Sequence, residues 1–163
     1  MATVAMMTIR VDRFAPQYAE AFAALNREWI ETYFEIEDED LKVLNNPQGY
    51  VLDGGGEIFF ALCEEDPAAA LGTVAMVKTG ATTFELAKMA VSPRHQGLGI
   101  GRLLMDACTE FARVEGASEI FLITNDILAP AMALYEKSGF VRQPSNNDTR
   151  YSRGNTEMRL ALP

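Results

Sequence analysis

The chain has 163 residues, 48% of them hydrophobic, and a formal net charge of −9 at pH 7. This length fits a single domain with a sizeable core, and the acidic balance argues against nucleic acid as the main partner. No apolar run approaches the ~20 residues that a membrane span needs, and the start, Met1-Ala-Thr-Val-Ala-Met-Met7, lacks the basic and apolar regions of a secretory signal.

Residues 8–11 read as a first strand. Residues 16–34 read as a helix, with Tyr18, Phe22, Leu25, Trp29 and Tyr33 recurring at three- and four-residue spacing. A run of five acids in six positions, Glu35 to Asp40, follows, with Asp38 the expected N-cap of a short second helix ending at Leu44. Asn45-Asn-Pro47 stops it and Asp53-Gly-Gly-Gly56 is a turn. Strands are expected at 57–63 and 70–78 around a turn at 64–67, and at 84–91 after a hairpin turn at Gly80-Ala81. Lys88 interrupts that third strand. The clearest helix spans 99–115, with Leu103, Leu104, Ala107, Phe111 and Val114 as its apolar stripe and Gly116 as its stop. Residues 120–123 are nearly all apolar, as a central strand covered on both faces requires. A short helix at 130–137, Gly139, and two strands at 140–142 and 157–162 around a polar loop complete the chain. The order β-α-α-β-β-β-α-β-α-β-β indicates a mixed sheet with helices on both faces. Cys63 and Cys108 belong to no CxxC pair, so buried or half-buried thiols in a reducing, cytoplasmic setting are expected.

The chemistry concentrates between Met89 and Arg102. Here an apolar strand runs into Gln96-Gly-Leu-Gly-Ile-Gly101, and an amphipathic helix begins at once. Glycines allow close backbone approach and dihedrals that other residues avoid, and a helix start turns free N–H groups toward an anion. The window from Leu86 to Met105 contains no acid but holds Lys88, Arg94 and Arg102, so it carries +3 while the remainder carries −12. A phosphate-bearing ligand fits this island. The glycine spacing is not the Rossmann one, and no early βαβ unit precedes it.

At Gln96-x-x-Gly99-x-Gly101 the chain resembles the GCN5-related N-acetyltransferases, which move an acetyl group from acetyl-coenzyme A to an amine. The preceding strand Leu86-Ala-Lys-Met-Ala-Val91 fits the cofactor strand of that family. Ala131-Met-Ala-Leu-Tyr-Glu-Lys-Ser-Gly-Phe140 resembles its second motif, about 40 residues on. The resemblance implies an α/β fold with a mixed, mostly antiparallel central sheet, helices on both faces, and a parallel strand pair (84–91 and 119–123) that splays apart. The gap would admit pantetheine against Met89, Ala90 and Val91. The pyrophosphate would rest on Gln96, Gly97, Leu98, Gly99, Ile100, Gly101 and Arg102, with Arg94 beside them.

Acetyl transfer needs a neutral amine, a polarised thioester carbonyl and a proton for the departing thiolate. The resemblance implies Tyr135 as general acid and as a cofactor neighbour, and Glu85 as the base, with ordered water as the alternative. An ion pair with Lys88 is the structural reading of Glu85. Asn125 would orient the pantetheine arm or Tyr135. Many relatives carry Asn seven residues before the tyrosine, where Leu128 stands here. His95, the single histidine, is expected to meet solvent or phosphate. In this fold the acceptor is chosen by the first two helices and the late loop, which points to Trp29, Tyr33, Phe34, Tyr151, Arg153 and Asn155. Arg153 would hold a substrate carboxylate. No metal-ligand spacing occurs. The expected partner is a small-molecule amine; a peptide acceptor and a non-catalytic acyl-CoA sensor are the alternatives. Homodimerisation, common in the family, is left open.

Overall fold

The computed structural model describes residues 7–144, 146 and 148–163. The stretch 1–6, and Ser145 and Asn147 of the expected late loop, lie outside the described residues. Seven strands, β1 (Ile9–Arg13), β2 (Glu57–Cys63), β3 (Asp66–Lys78), β4 (Thr83–Val91), β5 (Glu119–Thr124), β6 (Val141–Arg142) and β7 (Thr156–Ala161), form one sheet in the order β1-β2-β3-β4-β5-β7-β6. All neighbours are antiparallel except β4 and β5.

Alternation along β2 separates two cores. Phe59, Ala61 and Cys63 point to one face, and Ile58, Phe60 and Leu62 to the other. The first face packs against α3 (Ile100–Val114) and α4 (Ala129–Lys137). The second is covered by α1 (Ala19–Tyr33), α2 (Asp38–Leu44) and a wide helical turn at Gln48–Leu52. That turn follows Pro47, where the sequence reads only as a stop, and it buries Val51.

Several expectations shift. The stripe of α3 is rotated: Ile100, Leu104, Met105, Cys108, Phe111 and Ala112 are buried, while Leu103 is partly exposed and Val114 is 67% exposed. The observed set steps by three, four and one residues, as a broad helical face does. In α2 the cap is Glu37 rather than Asp38, because Glu37 and Asp40 close a reciprocal capping box. Strand β3 begins at Asp66, through the expected turn, and its first four residues are exposed. Residues 16–18 form a short 3-10 turn ahead of α1. Cys63 and Cys108 are both buried and free.

Two features of β4 open the sheet. Its parallel ladder with β5 stops after Thr83–Glu119, Phe84–Ile120 and Glu85–Phe121, so the strands part beyond Glu85. On the other edge, Ala87 pairs with Ala75 but Ala90 pairs with Thr73, which leaves one extra residue on β4. This is a β-bulge. Lys88 takes it up with φ 57, alone in the left-handed region among the described non-glycine residues. Such a conformation costs ~1–3 kcal/mol and persists only where its surroundings enforce it.

Candidate active site

Beyond the splay lies a cleft of about 760 Å3. Its floor is the turn from His95 to α3. Gly97 and Gly99 have φ of 82 and 78, and a Cβ built on either would meet nothing within 4 Å. Any other residue would be strained there, and its side chain would fill the open cradle. Gly101 does a different job, since a Cβ there would lie 3.0 Å from a Leu134 methyl, so it sets how closely α3 and α4 pack. With Gly99 as N-cap, no side chain caps α3. The first N–H groups of a 15-residue helix are therefore left for an anion. Met89, Val91, Gln96, Ile100 and Arg102 also line the cleft, whereas Ala90 is buried in the sheet. Leu98 packs on the α3-side core. Arg94 and Arg102 are surface residues paired with Glu28 and Asp106. His95 lines the cleft, but its Nδ1 and the Ser92 hydroxyl are buried without a hydrogen-bond partner among the described residues.

Tyr135 reaches the same cleft from α4, its ring edge-on to Phe140. Burial pushes its phenol up to about 12, so it keeps its proton through the neutral range. No hydrogen bond to its hydroxyl occurs among the described residues.

A second, smaller cavity of about 50 Å3 lies between α1, the end of β5 and the late loop. Trp29 and Leu128 stand in the walls of both cavities. Phe34, Asn125, Tyr151 and Arg153 line only the smaller one, and Tyr33 only the larger. Four of the six residues expected on the acceptor side thus line the smaller cavity, and Tyr33 stands in the larger one. Asn155 lines neither cavity: it is tied to Asp126 and Thr156. Asn125 donates to the Arg153 carbonyl at 2.8 Å and accepts from the Ile127 N–H, so it anchors the late loop.

Behind this wall sits an ionic cluster that the sequence does not advertise. Asp40, fully buried, accepts from Lys88 Nζ at 2.6 Å and from both Arg153 Nη atoms at 2.6 and 2.8 Å. Arg153 also donates to Glu37 at 3.1 Å, and Lys88 to the Tyr151 hydroxyl at 3.0 Å. Burial alone would raise the Asp40 carboxyl, but the bonds from Arg153 and Lys88 outweigh it and hold it at about 2. Burial lowers Lys88, with Asp40 opposing. Burial and the Asp40 charge raise Tyr151. Glu85, also buried, pairs with Arg150 at 2.6 Å rather than with Lys88, and Arg150 in turn grips Asp148. Arg153 is already occupied by two carboxylates of its own chain, which leaves the expected role of holding a substrate carboxylate without a free partner. The usable signals were small: a lysine inside an apolar strand, and an acid at the third position of a helix whose box also needs it.

No group of histidine, cysteine and acid side chains among the described residues could hold a metal ion, and no described helix is long and apolar enough to cross a membrane.

Comparison with known proteins fits this geometry. The acetyltransferase (GNAT) family matches residues 18–140. A streptothricin acetyltransferase of Streptomyces lavendulae is 44% identical over 50 residues, 31% of this chain and 26% of that protein. An uncharacterized N-acetyltransferase of Schizosaccharomyces pombe is 27% identical over 135 residues, 77% of each chain. The chain spans about a quarter of the length of the first curated relatives it matches. Among solved structures, a GNAT acetyltransferase from Staphylococcus aureus superposes with TM-score 0.84 at 21% identity, covering 96% of this chain and 100% of that one. The spermidine N-acetyltransferase of Vibrio cholerae, in complex with CoA and spermine, gives 0.70 at 19% identity over 94% and 95%. The splayed sheet, the glycine cradle and the family match over three quarters of the length agree: this chain belongs to the GNAT acetyltransferase family.

Proposed function

We propose that the chain transfers an acetyl group from acetyl-CoA to the amine of a small polar molecule by direct attack. The observation that carries this reading is the uncapped α3 start above the open Gly97–Gly99 cradle, in the same cleft that Tyr135 lines. The cradle fits a pyrophosphate, because free N–H groups and left-handed glycines converge where a side chain would intrude. Acetyl-CoA supplies the activated acetyl thioester when bound. Backbone groups of β4 beyond Glu85, left without a strand partner toward β5, are available to the pantetheine arm. Tyr135, protonated at neutral pH, holds the proton that the departing thiolate needs. Glu85 is the base on this reading; Arg150 fixes the direction of its carboxylate. On this reading a small acceptor would lie against the aromatic wall of Trp29 that the two cavities share, in keeping with relatives named for streptothricin and spermidine.

The test is acetyl-CoA-dependent thiol release over amino acids, polyamines, aminoglycosides and peptides. Turnover with small amines is expected. Turnover with peptides alone would replace the acceptor class, and thiol release equal with and without amines would remove the transferase reading.

A further inference from the structure

Resting on the acetyltransfer reading, we propose that Asp40 is a positioning residue that locks the acceptor wall, and so sets acceptor affinity without touching the donor side. Three parts of the molecule that are remote in sequence meet on its carboxylate. These are α2, which carries it; the β4 bulge, through Lys88; and the late loop, through Arg153. Each is short, strained or irregular. Lys88 sits in a strained conformation. The segment 148–155 has no regular structure before β7 begins. Helix α2 has only seven residues.

The acceptor cavity is walled by what these bonds fix. The Tyr151 ring lies 4.4 Å from Lys88 Nζ and 4.7 Å from the Arg153 guanidinium carbon, with Arg150 at 5.7 Å. Arg153 itself lines the cavity, its fork closed bidentately on Asp40. Glu37 adds a bond to the Ser152 N–H at 3.0 Å. A carboxylate that receives three charge-assisted bonds has one well-defined arrangement, whereas an amide in its place lacks the charge and half the acceptor capacity. Loss of the lock frees Tyr151 and Arg153 together. The cradle on α3 shares no residue with this cluster; Lys88 alone adjoins the β4 backbone offered to pantetheine, and Arg153→Met leaves its bond to Asp40 in place.

The experiment pairs Asp40→Asn with Arg153→Met, which cuts the loop side while keeping Asp40 and Lys88 together. The single tryptophan, Trp29, lines both cavities and reports acetyl-CoA binding by its fluorescence, without turnover. Either variant should raise the KM of the probe amines spermidine, lysine and kanamycin by at least about tenfold, with kcat and acetyl-CoA affinity within about threefold. Arg153→Lys, with one point charge for the fork, should fall between. Amide hydrogen exchange over 148–155 should quicken by at least about tenfold, with α3 unchanged. An unchanged KM, or acetyl-CoA affinity falling in step with it, overturns the lock. Should Asp40→Asn not fold, Arg153→Met decides by exchange over 148–155, since Arg153 itself lines the cavity. A wild-type chain that acetylates none of these amines removes the transfer reading instead. Exchange in 148–155 then decides, and equal rates in wild type and Arg153→Met overturn the lock.

Discussion

The two cavities that meet at Trp29 are made in opposite ways. The larger cleft, proposed for the donor, is mostly backbone and apolar surface: two left-handed glycines, an uncapped helix, a strand edge without a partner. The smaller cavity, proposed for the acceptor, is made by charged side chains holding aromatic ones, through pairs 48 to 116 residues apart in sequence. A site that binds one constant ligand can be written into a short local segment. A site adapted to a particular acceptor is assembled from distant positions, each of which can change separately.

The sharpest way to break this contrast is Gly99→Glu. It places a negative charge and a side chain where the cradle is open, so acetyl-CoA affinity should fall by more than about a hundredfold, a loss of ~3 kcal/mol or more. Calorimetry against a folded control checks it, and unchanged affinity would refute the donor assignment. Tyr135→Phe should come next, lowering kcat by ~100-fold, within the usual range for a proton donor, with acetyl-CoA affinity retained. A loss below about threefold would return Tyr135 to simple packing. Glu85→Gln should cost about tenfold in kcat, since bound water still offers a route for the proton.

The ionic cluster makes a prediction about stability. The carboxyl of Asp40 is held at about 2 in the fold, below its ordinary 3.8. Its contribution, on the order of 2 kcal/mol, is therefore complete above the unfolded value and is lost as pH falls toward the folded one. Urea unfolding between about pH 5 and about pH 2 should show an acid limb that flattens in Asp40→Asn. The smallest effect is expected from Arg102→Ala. This exposed residue, paired with Asp106, should change acetyl-CoA affinity about two- to threefold, and less at high salt.

The same contrast explains what the sequence could reveal. The strands, the α3 helix and the glycine turn were legible because period and punctuation are local. The rotation of the α3 stripe was not. Leu103 and Val114 are as apolar as Leu104 and Phe111, and only the position of the sheet decides between them. Glu85 and Arg153 were recognised as chemical residues, but their partners were not. Arg150 lies 65 residues from Glu85, and Asp40 lies 113 from Arg153. An acidic run at a helix start reads as a solvated face, and nothing local distinguishes Asp40 as its buried member.

Trp29 and Leu128, by standing in both walls, join two sites that otherwise share no residue described here. On the proposed reading, a partition of this kind would make the two ligands thermodynamically aware of each other. If filling the donor cleft fixes the indole, the acceptor finds its wall already ordered, and the ordering cost is met once for both. Linkage then demands symmetry: whatever factor acetyl-CoA adds to acceptor affinity, the acceptor adds to acetyl-CoA affinity. The coupling between the two ligands would follow from a single side chain rather than from a moving domain.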